Sequence, residues 1–202
     1  MNLREALAVL REARRDDDVV ITTMAPARDW MALAGSILHP LDLVLVPSAM
    51  GHASSIALGL ALAQPRRRIV VCNGDGSLLM NLGSLVSITA AGPANLVHIL
   101  CDNGVYEVTG AQPTPGGAKG REDRRTVDYI GIARGCGFRS LHRFGDIAKW
   151  RRAARDILDG AGPSFVLLDV ETSPGVPGPR SPGPAGERSR RFRDALTATQ
   201  PP

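Results

Sequence analysis

Residues 66–85 read RRRIVVCNGDGSLLMNLGSL, and the order of elements in this stretch indicates the fold class. Its first part is an apolar run of strand length, apolar on both faces, which ends at Gly74. Gly74 and Gly76 flank Asp75, and a helical pattern begins at Ser77. A strand that is apolar on both faces and leads directly into a helix is typical of a parallel sheet covered on two sides.

The same alternation extends along the rest of the chain. Strands are predicted at 19–22, 43–46, 66–73, 96–103, 138–141 and 164–170, and helices at 29–37, 53–63, 77–91, 126–134 and 146–158. The pattern predicts an α/β fold, a three-layer sandwich with a mainly parallel sheet. In such folds ligands bind outside the carboxyl ends of the strands.

Composition excludes several function classes. The 202 residues are 44% hydrophobic and 22% charged, which is typical of a folded domain with a sizeable core. The formal charge is +4, and residues 174–202 carry +3 of it as five arginines against Glu187 and Asp194, so the body of the chain is nearly neutral. We therefore expect no nucleic-acid partner. No run of about 18 apolar residues is present, so we expect no membrane span.

The cysteines and the amino terminus indicate a compartment. Cys72, Cys101 and Cys136 have no CxxC spacing and are expected to be small core residues. Residues 1–18 form a charged amphipathic segment without the apolar region of a signal peptide. Both observations favour the reducing cytoplasm.

Two segments interrupt the alternation of strands and helices. Residues 104–125 form a loop far longer than the usual connection, and it is either a lid over a site or disordered. Residues 173–202 are rich in Pro, Gly and Arg and are predicted to be a flexible tail, either solvated or used to dock a partner. The expected organisation is one domain over residues 1–172 followed by this tail.

The turn around Asp75 has the chemistry of a diphosphate site. Glycines permit close backbone approach, and the start of a helix offers free N–H groups to an anion. An aspartate there would repel a bare phosphate unless a divalent cation lies between them. On its own, however, GDG is also a common turn sequence.

A second motif lies at the end of the next strand. Asn103 follows the apolar run 96–101, so it is predicted at the same sheet edge as Asp75, one strand away. Both side-chain oxygens could then reach one ion, and a loop carbonyl such as that of Val105 could add a third ligand. Asp, Asn and carbonyl oxygens suit magnesium or calcium and would be poor ligands for zinc.

The two motifs together resemble the diphosphate-binding motif of thiamine-diphosphate enzymes. In that family GDG and a downstream Asn hold magnesium and the cofactor. The resemblance covers roughly residues 25–170. The stretches MGHASSIALGLALA, GDGSLLMNLGSL and NLVHILCDNGVYEVTGAQPT are similar to the cofactor-binding portion of phosphonopyruvate and sulfopyruvate decarboxylases. The resemblance implies the fold of the diphosphate-binding (PP) domain, with thiamine diphosphate and Mg²⁺ as cofactors.

The resemblance also implies roles for individual residues. Asp75, Asn103 and the carbonyl of Val105 match the metal ligands. The remaining cofactor-binding positions are Ser48, Met50, Gly51, Gly74, Gly76, Ser77 and Tyr106. Among these, the carbonyl of Ser48 would meet the aminopyrimidine, and Met50 would support the bent cofactor, with an ordinary core methionine as the alternative. His52 is the catalytic candidate, to polarise a substrate carboxylate or protonate an intermediate, with helix capping or packing as the alternative.

The resemblance finally implies a partner chain. Enzymes of this class need a glutamate from a pyrimidine-binding domain, and 202 residues with one α/β unit do not contain both domains. Glu5 and Glu12 lie on the charged amphipathic segment and are expected to face solvent. The implied protein is the cofactor-binding subunit of a hetero-oligomeric decarboxylase, a carboxy-lyase acting on a small anionic 2-oxo acid. The alternatives are another thiamine-diphosphate reaction, a non-catalytic cofactor-binding subunit and a metal-dependent phosphate-binding protein.

Overall fold

A parallel sheet of six strands forms the centre of the computed structural model, which describes residues 1–35, 38–46, 49–117, 127–172 and 181–198. In chain order the strands are β1 (Val19–Thr23), β2 (Asp42–Leu45), β3 (Ile69–Gly74), β4 (Leu96–Asp102), β5 (Val105–Tyr106), β6 (Gln112–Pro113), β7 (Ser140–Phe144) and β8 (Ser164–Asp169). The sheet order is β2-β1-β3-β4-β8-β7, and β5 and β6 form a separate antiparallel pair. The predicted parallel sheet is confirmed.

Helices cover both faces of the sheet. They are α1 (Leu3–Ala13), α2 (Met24–Ala34), α3 (Ala53–Ala63), α4 (Asp75–Leu79), α5 (Gly83–Ala91), α6 (Tyr129–Cys136), α7 (Ile147–Asp159) and α8 (Ala185–Ala198). Buried residues of α1, α2 and α7 share one core cluster. Those of α3, α4, α5, α6 and α8 share the other. The predicted three-layer α/β/α sandwich is therefore confirmed.

The apolar runs form strands because successive side chains enter opposite cores. In β1, Val20 packs into the cluster under α1, α2 and α7, whereas Val19 and Ile21 pack into the other cluster. Trp150 of α7 is fully buried, and its indole N–H donates to the carbonyl of Ala6 at 3.0 Å. This buried hydrogen bond links α7 to α1 within that helical layer.

The strand order places a crevice beside β1. From β1 the chain passes through α2 to β2 on one side, and it returns through α3 to β3 on the other side. Connections that leave neighbouring strands in opposite directions open a gap at the carboxyl ends of those strands. The stretch Gly74–Asp75–Gly76 lies at this end of β3, and Asn103 follows the same end of β4.

The structure divides the helix predicted at 77–91. It consists of α4 and α5, separated by residues 80–82. The side-chain amide of Asn81 donates to the carbonyl of Gly51 at 3.0 Å, and the hydroxyl of Ser84 donates to the carbonyl of Asn81 at 2.7 Å. The hydrogen bonds of Asn81 and Ser84 therefore replace the backbone hydrogen bonds that a continuous helix would form here.

The expectation of a flexible tail over 173–202 is wrong for residues 181–198. Helix α8 occupies most of this part, and Phe192 and Leu196 are buried in the core cluster of α3 and α5. Their i, i+4 spacing places both side chains on one helical face, which is why a segment of otherwise polar composition docks. Residues 173–180 and 199–202 lie outside the described residues.

Other expectations concern cysteines and membrane spans. Cys72 and Cys101 are buried free thiols, and Cys136 is a half-buried free thiol, so the predicted small core residues are confirmed at the first two positions. Within the described part of the chain, no helix is long and apolar enough to cross a membrane.

Candidate active site

A pocket of about 440 Å³ opens at the carboxyl ends of β1, β3, β4 and β8. Its wall combines the residues that follow these strands with one residue of α1 and with Met50. The lining residues are Leu3, Met24, Ala25, Pro26, Met50, Gly74, Asp75, Gly76, Ser77, Cys101, Asn103, Val105, Tyr106, Glu107, Val108 and Val170. Eight of the predicted site residues thus meet in one pocket, although they span 57 positions from Met50 to Tyr106.

Asp75 begins α4 and is a buried carboxylate. One of its oxygens accepts a hydrogen bond from the hydroxyl of Thr114 at 2.7 Å. Burial, and to a smaller extent the Asp102 carboxylate, raises the pKa of Asp75 to about 6 although the hydrogen bond from Thr114 opposes the rise. The negative charge of Asp75 is therefore unfavourable in this buried position, and a cation bound beside it would remove that cost.

This cost makes the stability of the cofactor-free chain depend on pH. Because the folded pKa of Asp75 lies above the unfolded value, the folded chain binds this proton more tightly. The contribution of Asp75 to the free energy of unfolding is greatest below about pH 4. It decreases as the pH rises through 6, by about 3 kcal/mol in all. We expect Asp75→Asn to unfold at higher urea concentration than the wild type at pH 8 and at a similar concentration at pH 4.

The control for this measurement is Asp16→Asn, which replaces an exposed carboxylate by the same amide. It should leave the pH dependence of urea unfolding unchanged. An equal fall in stability between pH 4 and pH 8 for the wild type and Asp75→Asn would show that Asp75 carries no such cost.

Asn103 lies on the neighbouring side of the pocket, directly after β4. Its side-chain oxygen accepts a hydrogen bond from the backbone N–H of Val105 at 3.0 Å. The next residue, Gly104, has a φ of 76° and accepts a bond through its carbonyl from the N–H of Thr114 at 2.9 Å. The loop after β4 therefore folds back over Asp75 and brings Thr114 to it.

Gly76 lines the pocket, and the space where a side chain would stand at this position is filled by another residue. A Cβ at this position would lie 2.5 Å from two ring carbons of Tyr106, far closer than side chains approach. The Tyr106 ring thus packs directly on the backbone of Gly76. Only glycine permits this approach, as expected where the backbone comes close to another group.

Ser77 connects the glycine turn to the segment that carries Met50. The N–H of Gly51 donates to the hydroxyl oxygen of Ser77 at 3.0 Å, and Gly51 has a φ of 81°, a conformation that favours glycine. Together with the bond from Asn81 to the Gly51 carbonyl, this contact fixes Gly51 on both sides. Met50, half-buried, is held at the pocket wall next to it.

The structure does not bring every predicted residue to the pocket. His52 is exposed and does not line it, and its ring nitrogen Nδ1 lies 2.9 Å from the carbonyl of Met50. It precedes α3 without forming a side-chain cap. Ser48 lies outside the described residues, as do positions 118–125 of the long loop predicted at 104–125.

His98 lies in the protein core and does not line the pocket. It is fully buried in β4, where Nε2 lies 2.9 Å from the Ser54 hydroxyl and the ring stacks on Phe165. Burial lowers the pKa of His98 to about 4, so the imidazole stays neutral near pH 7.

Three pocket features were not anticipated from the sequence. Thr114 reaches Asp75 from 39 residues away. Met24 lines the pocket at the end of β1 with a φ of 57°, which is strained for a bulky residue. Arg28 of α2 forms an ion pair with Glu107 at 3.2 Å, which joins the loop after β4 to the opposite wall. The sequence motifs gave no role to Thr114, Met24 or Arg28, so the sequence did not predict these contacts.

The donors in the pocket fit a hard divalent cation beside an anion. Among the described residues, no three His, Cys, Asp or Glu side chains converge on one metal position. What the pocket offers is the buried carboxylate of Asp75, the amide oxygen of Asn103 and the backbone of residues such as Gly76 and Val105. Such a set suits magnesium or calcium bound to a ligand that supplies further oxygens.

Comparison with known proteins identifies the class. Residues 27–169 match the family described as thiamine pyrophosphate enzyme, C-terminal TPP binding domain. Since the match covers more than half of the chain, the protein belongs to this family. The X-ray structure of a thiamin diphosphate-dependent enzyme from Mycobacterium smegmatis has the same fold, with a TM-score of 0.70 over 86% of this chain and 32% of that one, at 18% identity.

Curated relatives narrow the resemblance. The chain is 36% identical over 183 residues to phosphonopyruvate decarboxylase of Streptomyces hygroscopicus, covering 91% of this chain and 42% of the relative. It is 38% identical over 157 residues to sulfopyruvate decarboxylase subunit beta of Methanothermobacter thermautotrophicus, covering 77% of this chain and 75% of the relative. The chain thus spans less than half the length of the phosphonopyruvate decarboxylases it matches.

Proposed function

We propose that this chain is the cofactor-binding subunit of a two-subunit, thiamine-diphosphate-dependent decarboxylase acting on phosphonopyruvate or sulfopyruvate. The observation that carries the proposal is the meeting of Asp75, Gly76 and Asn103 in one pocket at the carboxyl edge of the sheet. The similarity to phosphonopyruvate decarboxylases and to a sulfopyruvate decarboxylase beta subunit supports the substrate class.

The cofactor-binding residues predicted from the sequence and found in the pocket each have a role in this proposal. Asp75, Asn103 and the carbonyl of Val105 would hold Mg²⁺, and the backbone of Gly74, Gly76 and Ser77 would face the diphosphate. When bound, thiamine diphosphate supplies the electron sink for loss of carbon dioxide from a 2-oxo acid. Met50 would support the bent cofactor from the pocket wall. The Tyr106 ring would narrow the part of the pocket that Gly74, Gly76 and Ser77 line.

The carboxylates of the pocket support an activating glutamate on another chain. Among the described lining residues, the one glutamate is Glu107, and it is engaged by Arg28. Glu5 and Glu12 are exposed on α1, as predicted, and Glu12 pairs with Arg151 on the outer surface. None of these groups is placed to act on a cofactor in the pocket.

One surface of the chain has the character of a subunit interface. Helices α3 and α5 pack side by side and contain no ionisable residue, whereas α1 and α7 on the other face carry many charges. Leu62, Met80 and Val86 near or on these two helices are each more than half exposed. An uncharged outer face is unusual for a solvated helix, and it supports a partner subunit that covers this side.

The decisive test is decarboxylation of phosphonopyruvate and of sulfopyruvate by the purified chain with thiamine diphosphate and Mg²⁺. We expect no turnover by the chain alone. With a partner chain that carries a pyrimidine-domain glutamate, we expect an even-numbered complex that releases carbon dioxide without an electron acceptor. Full turnover by the lone chain would contradict the two-subunit proposal, and an intact complex inactive on both substrates would contradict the substrate class.

Met50 allows a test of cofactor posture. If Met50 supports the bent cofactor, Met50→Ala should lower kcat of the complex at least about tenfold, while the half-buried position limits the loss of thermal stability. Met50→Leu keeps the volume and serves as the control. A large fall in melting temperature with unchanged kcat per folded enzyme would instead identify Met50 as an ordinary core residue.

A further inference from the structure

Helix α8 is held on the body of the protein by more than its apolar face. The guanidinium of Arg188 donates two hydrogen bonds of 2.7 Å, one to the carbonyl of Val44 and one to the carbonyl of Val46. Arg188 and these carbonyls are 142 and 144 residues apart in the chain. Phe192 and Leu196, one and two turns further along α8, are buried in the core.

These two carbonyls lie at the lateral edge of the sheet that β2 forms. Val44 belongs to β2, an edge strand that pairs with β1 on one side only, and Val46 follows the end of β2. Backbone carbonyls at a sheet edge need partners other than a neighbouring strand. The Val44 carbonyl also accepts the backbone N–H of Val46 at 3.2 Å, and the planar guanidinium of Arg188 bonds to both carbonyls at once.

Met50 lies in the chain between two residues that are held by long-range hydrogen bonds. Directly after it, Gly51 is bonded to Ser77 and Asn81. Four positions before it, the carbonyl of Val46 is bonded to Arg188. Contacts with α8 and with the region of α4 therefore hold the chain on either side of Met50.

We propose that Arg188 is a positioning residue: through the carbonyls of Val44 and Val46, α8 fixes the end of β2 and with it the placement of Met50 at the pocket wall. The proposal rests on the proposed function in taking this pocket as the thiamine-diphosphate site. It assigns the carboxy-terminal helix a part in cofactor binding, although no described residue of α8 lines the pocket.

The test compares Arg188→Gln and Arg188→Lys with the wild-type chain by amide hydrogen exchange and by calorimetric titration with thiamine diphosphate and MgCl₂. In Arg188→Gln we expect exchange at the hydrogen-bonded amides of Val46 and Gly51 to accelerate, and cofactor affinity to fall about tenfold. Arg188→Lys, which keeps the charge but has no fork of donors, should fall between the two.

Two controls separate positioning from general stability. Arg190→Gln removes an exposed arginine from the same helix and should change neither measurement. Ile157→Val weakens the core under α7, on the opposite face of the sheet, and should lower the melting temperature without lowering cofactor affinity. A fall in affinity for Ile157→Val equal to that for Arg188→Gln would reduce the role of Arg188 to stability and overturn the proposal.

The remaining outcomes are also decisive. Unchanged exchange at Val46 and Gly51 in Arg188→Gln would show that the anchor does not exist. Faster exchange with unchanged affinity would show that the anchor does not position the cofactor wall. If the wild-type chain itself fails to bind thiamine diphosphate, the proposed function fails, and the exchange at Gly51 alone then decides whether Arg188 positions this segment.

Discussion

Asp75→Asn is expected to abolish magnesium-dependent binding of thiamine diphosphate. Two anionic groups, this buried carboxylate and the diphosphate, lie together in the pocket only if a cation bridges them, and a neutral amide holds that cation poorly. Loss of a charged contact worth about 3 kcal/mol corresponds to a fall in affinity of about 100-fold or more. Calorimetric titration of the chain with cofactor, at several magnesium concentrations, measures this effect.

Asn103→Ala should reduce binding in the same way, and Asn95→Ala provides its matched control. Asn95 directly precedes β4 and lies at the amino end of that strand, away from the pocket. Its side-chain amide donates to the carbonyls of Ala61, Gln64 and Arg67. Its loss should therefore destabilise the fold without changing cofactor affinity. Wild-type affinity in either Asp75→Asn or Asn103→Ala would contradict the assignment of the metal site.

Gly76→Ala is expected to have the second largest effect. Its methyl group would lie 2.5 Å from the Tyr106 ring, so the ring has to move within the pocket in which the diphosphate is proposed to bind. We expect cofactor affinity to fall about 100-fold, the equivalent of about 3 kcal/mol. A crystal structure of the variant would show whether the Tyr106 ring is displaced.

Gly83→Ala is the control for this substitution, because a Cβ at Gly83, the first residue of α5, has no neighbour within 4 Å. The alanine should bind cofactor normally and slightly stabilise the helix. If Gly76→Ala binds thiamine diphosphate as tightly as Gly83→Ala, the backbone of Gly74, Gly76 and Ser77 does not bind the diphosphate.

The predictable part of the fold follows from local apolar patterns. The predicted helix 53–63 coincides with α3, and the runs in β1, β4 and β8 are found within about two residues of their predicted bounds. Strands that are apolar on both faces have one stable environment, a sheet covered by helices on both sides, so the layer architecture follows from the pattern. The break at 80–82 was not predictable, because Asn81 finds its partner at Gly51, 30 residues away.

The same distinction applies to the candidate site. Asp75 and Asn103 were expected together because the carboxyl ends of adjacent parallel strands share one sheet edge. Thr114 was missed because its position depends on how the loop after β4 folds back, through the bond between its N–H and Gly104. His52 was expected near the cofactor from its proximity to Met50 in sequence, yet the start of α3 directs it to solvent.

The α/β class, the central strands and the placement of Asp75 and Asn103 in one pocket can be predicted from the sequence, since each depends on short apolar runs and on the residues directly after them. The docking of α8 at the β2 edge, the bond from Thr114 to Asp75 and the ion pair of Arg28 with Glu107 depend on tertiary packing. These contacts join residues 39 to 144 positions apart. Their partners are brought together by the packing of helices and loops onto the sheet, and no local pattern encodes that proximity.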